Sequence, residues 1–130
     1  FGKNFVQTIL EKARSENLLK IVGDQYGCPT NAHDLANAII QIIKSKDRIN
    51  KESKIYNFSN LGYTTWFNFG KIILDYVSDN YNLEEIKTNE ISQLSKRPKF
   101  AVTSKAKIIS VFNLKIPHWK DSLKKFLKKI

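Results

Sequence analysis

The chain of 130 residues has few of the residue types that cross-link a protein or interrupt its helices and strands. It contains one cysteine, no methionine, three prolines and five glycines. The single Cys28 excludes an internal disulfide and a metal cluster built from cysteines. No second cysteine or adjacent histidine accompanies Cys28, which favours a small packed or loop residue over the alternative of a reactive thiol.

Long hydrophobic runs are also missing. No apolar stretch approaches the ~20 residues that cross a bilayer, and no charged-then-apolar signal peptide stands at the beginning. One cysteine and the lack of a targeting sequence predict a cytoplasmic protein with no membrane partner. The chain begins at Phe1 rather than at a methionine and enters a helical pattern almost at once. This favours a piece of a longer protein whose upstream half is missing.

Catalytic and cofactor motifs are absent as well. The sequence has no Gly-x-Gly-x-x-Gly loop, no Walker loop, no Gly-x-Ser-x-Gly motif and no Tyr-x-x-x-Lys acid–base pair. Neither His33 nor His118 has a second ligand at metal spacing. His118 falls where a helix N-cap is expected, which indicates a structural role. The absences predict a binding part without catalytic, cofactor-binding or metal-binding residues of its own.

Positive charge is what the chain has in excess. Lysine and arginine outnumber aspartate and glutamate by 22 to 12, giving a formal net charge of +10. Such a charge permits attraction to a polyanion, a phosphate-bearing ligand or an anionic membrane. Lysines crowd the end of the chain ("WKDSLKKFLKKI") but occur throughout, so solvated surface explains many of them. A hydrophobic content of 42% with 12% aromatics predicts one folded domain with a real core.

Hydrophobic periodicity predicts about four helices and few strands. Helical spacing covers residues 4–16, 31–46, 64–77 and 119–129, and residues 105–111 fit one or two helical turns. Strands are predicted over residues 18–23, 54–60 and 84–91, of which "KIYNFSN" at 54–60 alternates most clearly. These strands are too few for an independent doubly wound sheet. We expect them to complete a sheet begun by a missing half, or to form a small sheet packed by four helices.

The same patterns predict which side chains cap and bury the helices. Asn31 is the expected N-cap of the second helix, with Asp34 in its first turn, and Thr64 or Thr65 caps the third. The second helix is expected to bury Leu35, Ala38, Ile39, Ile42 and Ile43. The third is expected to bury Trp66, Phe69, Ile72, Ile73 and Tyr76.

A set of side chains suited to holding an anion remains. Arg97 precedes Pro98 in a segment that proline biases toward an extended conformation, and a guanidinium can bind a diphosphate with two parallel hydrogen bonds. Gln25 and Thr30 flank the turn in "DQYGCPT" and can donate to phosphate or sugar oxygens. An exposed or ion-paired arginine and ordinary turn or cap residues are the alternative interpretations.

Four ordered blocks carry a family resemblance that covers essentially the whole chain: "GKNFVQTILEKA", "VGDQYGCPTNAHDLANAI", "IYNFSNLGYTTWFNFGKII" and "KRPKFAV…FNLKIPHWKDSLKKFL". Together they resemble the C-terminal half of the dTDP-4-dehydrorhamnose reductase family. The resemblance implies an α/β fold: the C-terminal substrate-binding lobe of a Rossmann-type extended short-chain dehydrogenase/reductase. Residues 1–130 would form that single lobe, and the N-terminal dinucleotide-binding half would be absent from this chain.

The resemblance also implies which residues bind the substrate. Lys3, Asn4 and Phe5 would lie where the chain enters the nucleotide-sugar site, and Gln25 with the Pro29–Thr30 turn would line the cleft. Arg97 would meet the diphosphate. Trp66 matches the family too, but its place on a helix face favours packing. In the family the N-terminal half carries the glycine-rich NAD(P)H loop and the Tyr/Lys pair, so the intact enzyme would use NADPH or NADH, with Mg as a further candidate. No cofactor is expected on this chain, and the chain alone is expected to be inactive.

Some positions depart from the family pattern, and other functions stay open. Thr103 and Ser104 stand where the family has Leu-Asp, Ala106 replaces a serine, and His118 replaces an aspartate. Alternatives are another nucleotide-sugar reductase or epimerase, a non-catalytic relative such as the regulatory beta subunit of methionine adenosyltransferase, and, from charge alone, a nucleic-acid-binding module. Expected partners are a dTDP-sugar, the N-terminal half and a second copy in a homodimer, with no nucleic acid. Apolar surface left exposed should make the isolated chain self-associate.

Overall fold

The computed structural model of the chain describes residues 4–45, 54–77, 80–92 and 97–129. The chain divides into two compact units, neither of them a continuous segment. Unit 1 combines Phe1–Gly27 with Thr64–Ala101, and unit 2 combines Cys28–Tyr63 with Val102–Ile130. Within the described ranges, no helix is long and apolar enough to cross a membrane.

The described residues form five α-helices and four short strands. The helices α1 to α5 are Phe5–Ser15, Ala32–Lys44, Trp66–Val77, Ala106–Phe112 and Trp119–Leu127. The strands β1 to β4 are Leu19–Val22, Tyr26–Gly27, Thr64–Thr65 and Leu83–Ile86, and a short 3-10 helix occupies Thr88–Glu90. The α/β class and the helix positions expected from the sequence are confirmed.

Unit 1 is built on two pairs of strands with helices packed against them. β1 pairs in parallel with β4, with Leu19 opposite Leu83 and Val22 opposite Ile86. β2 pairs antiparallel with β3. Helix α3 lies against β1, and Gly70 permits the close approach because a Cβ there would stand 2.5 Å from Ile21 Cδ1. The two pairs are separate sheets, and both are small because each has two strands of two to four residues.

The core of unit 1 lies along helix α3. Ile73 and Leu74 on that helix have no exposed surface. Phe5 at the beginning of α1 stacks on Phe69 of α3, with ring centroids 5.4 Å apart and planes 12° apart. The sequence pattern was wrong about Tyr76, which is 45% exposed. Leu74, one position outside the predicted stripe, is buried because this helix is covered by both α1 and β1.

Unit 2 contains an apolar cluster to which helices α2 and α4 contribute. Its buried members are Ala38, Ile108, Phe112, Leu114 and Ile116, with Ile42, Tyr56, Phe58, Ile109 and Val111 packed against them. The turn before β3 uses Gly62 at a φ of +81°, in the left-handed region that favours glycine. Next to it, Leu61 and His118 form an isolated parallel bridge.

Local capping agrees with the sequence expectations. The Asn31 side chain accepts a hydrogen bond from His33 N at 2.9 Å at the beginning of α2. Thr65 Oγ1 accepts from Asn68 N at 3.1 Å at the beginning of α3. His118 caps α5, its Nδ1 accepting from Lys120 N at 3.2 Å. An imidazole therefore caps this helix, and the structural role expected for His118 is confirmed.

Two sequence expectations fail in unit 2. Residues 54–60 form no strand, although their sequence alternates clearly. A strand needs a paired neighbour, and none of the described residues pairs with this segment. Helix α2 buries Ala38, but Leu35, Ile39 and Ile43 of the predicted stripe are exposed. Periodicity identified the helix correctly without telling which of its apolar positions would be covered.

Candidate functional site

Hydrogen bonds to Thr88 hold the connection between β1 and β2 in unit 1. Asp24 Oδ1 accepts hydrogen bonds from Thr88 N at 3.0 Å and from the Thr88 hydroxyl at 2.6 Å. The same hydroxyl oxygen accepts from Gln25 Nε2 at 3.0 Å. Thr88 begins the short 3-10 helix after β4, so the network joins the ends of the two parallel strands β1 and β4.

These hydrogen bonds determine the charge state of Asp24. The Thr88 hydroxyl holds the pKa of the Asp24 carboxyl below its ordinary value of 3.8, and the Thr88 amide and the positive charge of Lys99 act in the same direction. Partial burial opposes them. Asp24 is therefore a carboxylate at neutral pH, and its position suits it to fix the loop rather than to donate a proton.

Gln25 is held inside this loop. Only 4% of its surface is exposed, and its amide nitrogen is bound to Thr88 as described. A buried carboxamide with a fixed nitrogen has a fixed orientation, because its donor and acceptor ends cannot exchange without losing that bond. The role of Gln25 toward a ligand stays a prediction, and the structure adds the network that orients it.

The segment after Arg97 runs beside the same loop. Tyr26 N donates to Lys99 O at 2.8 Å, and Ala101 N donates to Tyr26 O at 2.9 Å, which makes Tyr26 and Phe100 a parallel bridge. Tyr26 also pairs with Thr65 of β3, so the segment forms an added edge next to β2. Sequence reasoning predicted an extended segment here but could not identify the backbone with which it pairs.

This edge of unit 1 combines positive charge with aromatic rings. Arg97 and Lys99 are exposed. The rings of Tyr26 and Phe100 lie 6.1 Å apart and are 41% and 62% exposed. Among the described residues, no carboxylate forms an ion pair with Arg97. A guanidinium next to exposed aromatic surface can bind a phosphate-bearing ligand that also has a flat ring. We call residues Arg97–Phe100 together with Tyr26 the basic–aromatic edge.

The beginning of α1 belongs to the packing of unit 1. The Asn4 side chain accepts from Gln7 N at 3.0 Å and donates to Gln7 Oε1 at 2.9 Å, which caps the helix. Phe5 contacts Trp66, with ring centroids 4.9 Å apart, so the packing role expected for Trp66 is confirmed. Lys3 lies outside the described residues.

The Pro29–Thr30 turn belongs to unit 2. Pro29 is half-buried and Thr30 is exposed. Thr30 Oγ1 donates to Cys28 O at 3.2 Å, which closes the turn on itself. Lys105 Nζ approaches Cys28 Sγ at 3.5 Å. The turn leads directly into the Asn31 cap of α2, and its role in ligand binding stays a prediction.

A buried asparagine anchors this turn within unit 2. Asn60 has no exposed surface, and its Oδ1 accepts from Asn31 N at 2.7 Å. Its Nδ2 lies 2.6 Å from Asp34 Oδ2, 3.1 Å from Ser122 Oγ and 3.2 Å from Pro117 O. The Ser122 hydroxyl also donates to Asp34. Sequence reasoning identified Asp34 as a helix-start carboxylate and missed Asn60 and Ser122, because a buried polar pairing over this sequence distance has no local pattern.

Metal binding receives no support from the described residues. Within their ranges, no group of three or more His, Cys, Asp or Glu side chains could hold a metal ion. The described part of this chain therefore offers no set of ligands for the Mg considered for the intact enzyme.

Comparison with known proteins agrees with the resemblance seen in the sequence. A family model described as the RmlD substrate binding domain matches residues 1–130. The chain is 30% identical over 127 residues to the spore coat polysaccharide biosynthesis protein SpsK of Bacillus subtilis, covering 98% of this chain and 42% of that protein. It is 32% identical over 132 residues to the dTDP-4-dehydrorhamnose reductase of Aggregatibacter actinomycetemcomitans, covering 95% and 45%.

Solved structures show the same likeness. A dTDP-4-dehydrorhamnose reductase from Bacillus anthracis, in complex with NADP, superposes with a TM-score of 0.89 at 28% identity and covers all of this chain and 44% of its own. One from Clostridium acetobutylicum gives 0.87 at 26% identity, with 98% and 44% covered. The chain thus spans less than half the length of the relatives that it matches.

Proposed function

Because the chain belongs to the family of RmlD substrate-binding domains, we propose that it is the dTDP-sugar-binding part of a dTDP-4-dehydrorhamnose reductase. The complete enzyme would reduce dTDP-4-dehydro-L-rhamnose to dTDP-L-rhamnose with NADPH or NADH. The 130 residues would be its C-terminal substrate-binding lobe, acting in the cytoplasm. An N-terminal half would supply the dinucleotide-binding fold, since the relatives are more than twice as long as the matched part.

The observation that carries the proposal is the pairing of the Arg97 segment with the Gln25 loop. The bridge between Tyr26 and Phe100 aligns a segment with two exposed cations beside a loop whose amide side chain is fixed. A nucleoside diphosphate-sugar has two phosphates, a base and hydroxyl groups. In the proposal, Arg97 binds the diphosphate and Gln25 faces the sugar-nucleotide, while Lys99 adds positive potential.

The remaining residues have less direct roles in the proposal. Lys3, Asn4 and Phe5 would form the entrance to the site at the beginning of α1, where helix N–H groups favour phosphate. A role of Pro29 and Thr30 in binding the dTDP-sugar is proposed from the family resemblance alone. The hydride would come from NAD(P)H bound by the N-terminal half, so this chain contributes binding and orientation. The purified chain with NADPH and the keto-sugar should therefore leave the NADPH absorbance unchanged, and steady NADPH consumption would contradict this division of roles.

The test of the binding site is a calorimetric titration of the chain with dTDP. Arg97→Ala should weaken dTDP binding by roughly 10- to 100-fold, because a charge-assisted pair contributes ~1.5–3 kcal/mol and each tenfold is ~1.4 kcal/mol. Arg97→Lys should also weaken binding, since lysine cannot make the two parallel bonds. Arg14→Ala is the matched control: it removes an exposed arginine from α1 of the same unit and should leave the affinity unchanged.

Other ligands separate this function from its alternatives. Tighter binding of UDP than of dTDP would favour another nucleotide-sugar reductase or epimerase. Binding of a mixed-sequence oligonucleotide that falls equally in the Arg97→Ala and Arg14→Ala variants would favour a module attracted by net charge. Equal dTDP affinities of the wild-type chain and Arg97→Ala would remove Arg97 from the site.

A further inference from the structure

Helix α5 and the two residues after it expose a group of lysines. The group has five members, with one exposed carboxylate, Asp121, beside them: Lys120, Lys124, Lys125, Lys128 and Lys129. Lys120, Lys124 and Lys128 are spaced four residues apart, which places them in one row along the helix. Lys120 Nζ also lies 5.7 Å from the centroid of the Trp119 ring. We call the five lysines the basic face of α5.

The opposite side of α5 fixes the helix in unit 2. Trp119, Leu123 and Leu127 are 3%, 6% and 5% exposed, and the Ser122 hydroxyl donates to Asp34 of α2. An amphipathic helix that lies on a membrane usually buries its apolar side at the boundary of the acyl chains. In α5 that side is already covered by the protein, so the lysines are what the helix presents to an external partner.

The charge of the basic face is not balanced in the way that the charge of other helices is. On α1, Lys12 pairs with Glu16 at 2.9 Å, and on α3, Lys71 lies 3.5 Å from Asp75. Among the residues that the structure describes, no carboxylate forms an ion pair with a lysine of the basic face. An uncompensated group of like charges on a fixed helix attracts a surface of opposite charge.

The chemistry of the basic face favours a layer of phosphates over a nucleic acid. All of its cations are lysines, which are compact and strongly hydrated point charges, whereas nucleic-acid recognition favours the planar fork of arginine. The helix also lacks exposed aromatic rings on which bases could stack, because Trp119 is buried and Phe126 is half-buried. A cluster of roughly four to eight basic residues on an amphipathic helix is typical of segments that bind anionic lipid.

We propose that the basic face of α5 binds the headgroups of an anionic phospholipid membrane. The lysines contact the lipid phosphates without entering the acyl chains, so the binding is reversible and weakens as the salt concentration rises. The expectation of no membrane partner was based on missing spanning and targeting segments, and attraction of charge at the membrane surface requires neither. The inference goes beyond the proposed function, because Arg97 and Gln25 belong to unit 1 and α5 belongs to unit 2.

Sedimentation with lipid vesicles tests the basic face. The 130-residue chain is mixed with vesicles of equimolar phosphatidylglycerol and phosphatidylcholine, and with vesicles of phosphatidylcholine alone. The chain should sediment with the anionic vesicles, less so as salt is added, and stay in solution with the neutral ones. The double variant Lys124→Gln and Lys128→Gln should lower the partition coefficient roughly 10- to 30-fold, because each lysine near an anionic surface contributes about fivefold.

The matched control is the double variant Arg14→Gln and Lys44→Gln, which removes the same charge from exposed positions of α1 and α2. It should lower the partition coefficient by less than about threefold, because salt screens charges that lie away from the contact. An equal fall in both double variants would attribute the attraction to net charge and overturn the assignment to α5. Equally strong binding to neutral vesicles would assign the contact to exposed apolar surface and also overturn the proposal.

A nucleic-acid partner is the remaining outcome of the test. A duplex oligonucleotide may not displace the chain from anionic vesicles at equal phosphate concentration if the proposal is correct. Displacement, together with weaker duplex binding of the Lys124→Gln and Lys128→Gln variant, would assign the basic face to nucleic acid and overturn the membrane proposal. Thermal unfolding followed by circular dichroism should give both double variants the melting temperature of the wild-type chain, because all four positions are exposed. This measurement separates a loss of binding from a loss of fold.

Discussion

The two units of the chain place their buried amide side chains in different surroundings. Unit 1 has a core of helix α3 against a small parallel sheet, and its polar network of Asp24, Gln25 and Thr88 lies at a connection between strands. Unit 2 has an apolar cluster with no paired strand among the described residues, and it fully buries the Asn60 side chain, whose hydrogen bonds reach part-buried partners such as Asp34. The Thr88 network fixes Gln25 beside the exposed Arg97 segment, whereas the Asn60 network joins Asp34 of α2 to Ser122 of α5.

This difference separates two kinds of surface within one chain. The exposed cations and aromatic rings of unit 1 suit the small anionic ligand that we propose, whereas helix α2 of unit 2 exposes the apolar side chains of Leu35, Ile39 and Ile43. We expect three features to contribute to the free energy of unfolding in decreasing order. They are the Asn60 network, the contact of Gly70 with Ile21, and the Thr88 network.

The largest expected effect is the removal of the Asn60 side chain. Asn60→Ala should lower the free energy of unfolding by roughly 3 kcal/mol, because it removes buried and part-buried hydrogen bonds to Asn31 N, Asp34, Pro117 O and Ser122, and a lost partner costs ~1–3 kcal/mol. Urea unfolding followed by circular dichroism measures this loss. Asn57→Ala, three residues earlier and exposed, is the matched control and should change stability by less than about 0.5 kcal/mol. A similar loss in both variants would show that the Asn60 hydrogen bonds contribute no more to stability than an exposed asparagine does.

A smaller loss is expected where α3 meets β1. Gly70→Ala should cost about 1–3 kcal/mol from overpacking, because the new Cβ would lie 2.5 Å from Ile21 Cδ1. The better helix propensity of alanine offsets part of this, by about 1 kcal/mol. Adding Ile21→Val removes the clashing Cδ1 and should restore much of the loss in a double-mutant cycle. If the stability losses of Gly70→Ala and Ile21→Val simply add in the double variant, the clash with Ile21 is not the cause of the Gly70→Ala loss.

The loop network should contribute less to stability and more to binding. Thr88→Val removes the acceptor of the buried Gln25 amide and should cost about 1–2 kcal/mol. If Thr88 orients Gln25 toward the ligand, dTDP affinity should fall while Thr88→Ser retains it. Calorimetric titration of both variants measures this. Full dTDP affinity in Thr88→Val would limit Thr88 to a role in stability.

The smallest expected effect is a pH dependence confined to acidic solution. Because the folded state lowers the pKa of Asp24 below 3.8, the stabilisation is complete above about 3.8 and is lost as the pH falls through the folded pKa. NMR titration of the Asp24 carboxyl should give a value below 3.8 that rises in Thr88→Val. A folded-state pKa of 3.8 or more would contradict the network.

Local sequence patterns were sufficient for the helices and their caps. Asn31, Thr65 and His118 act where the patterns put them, because a cap bonds to backbone two or three residues away. Strand pairing was less predictable. The segment 54–60 had the clearest alternation and yet has no paired neighbour among the described residues, because alternation records exposure to two environments and not the presence of a partner.

The candidate site was predictable only in part. The "DQYGCPT" turn and the Arg97–Pro98 pair were found from composition and resemblance, since short-range turn chemistry and family pattern both mark them. Thr88, Tyr26 and Phe100 were not found. Thr88 reaches Asp24 across 64 positions, and Phe100 reaches Tyr26 across a similar distance, so no window of sequence contains both partners.

The sequence by itself determined the α/β class, the positions of the helices and the family, because these follow from period, local capping and ordered motifs. The tertiary structure alone decided which side of α2 is covered, that Asn60 and Ser122 bind Asp34, and that the Arg97 segment runs beside the Gln25 loop. The physical reason is the same in each case. Burial and pairing depend on partners far along the chain, whose free energy of contact exceeds any local preference.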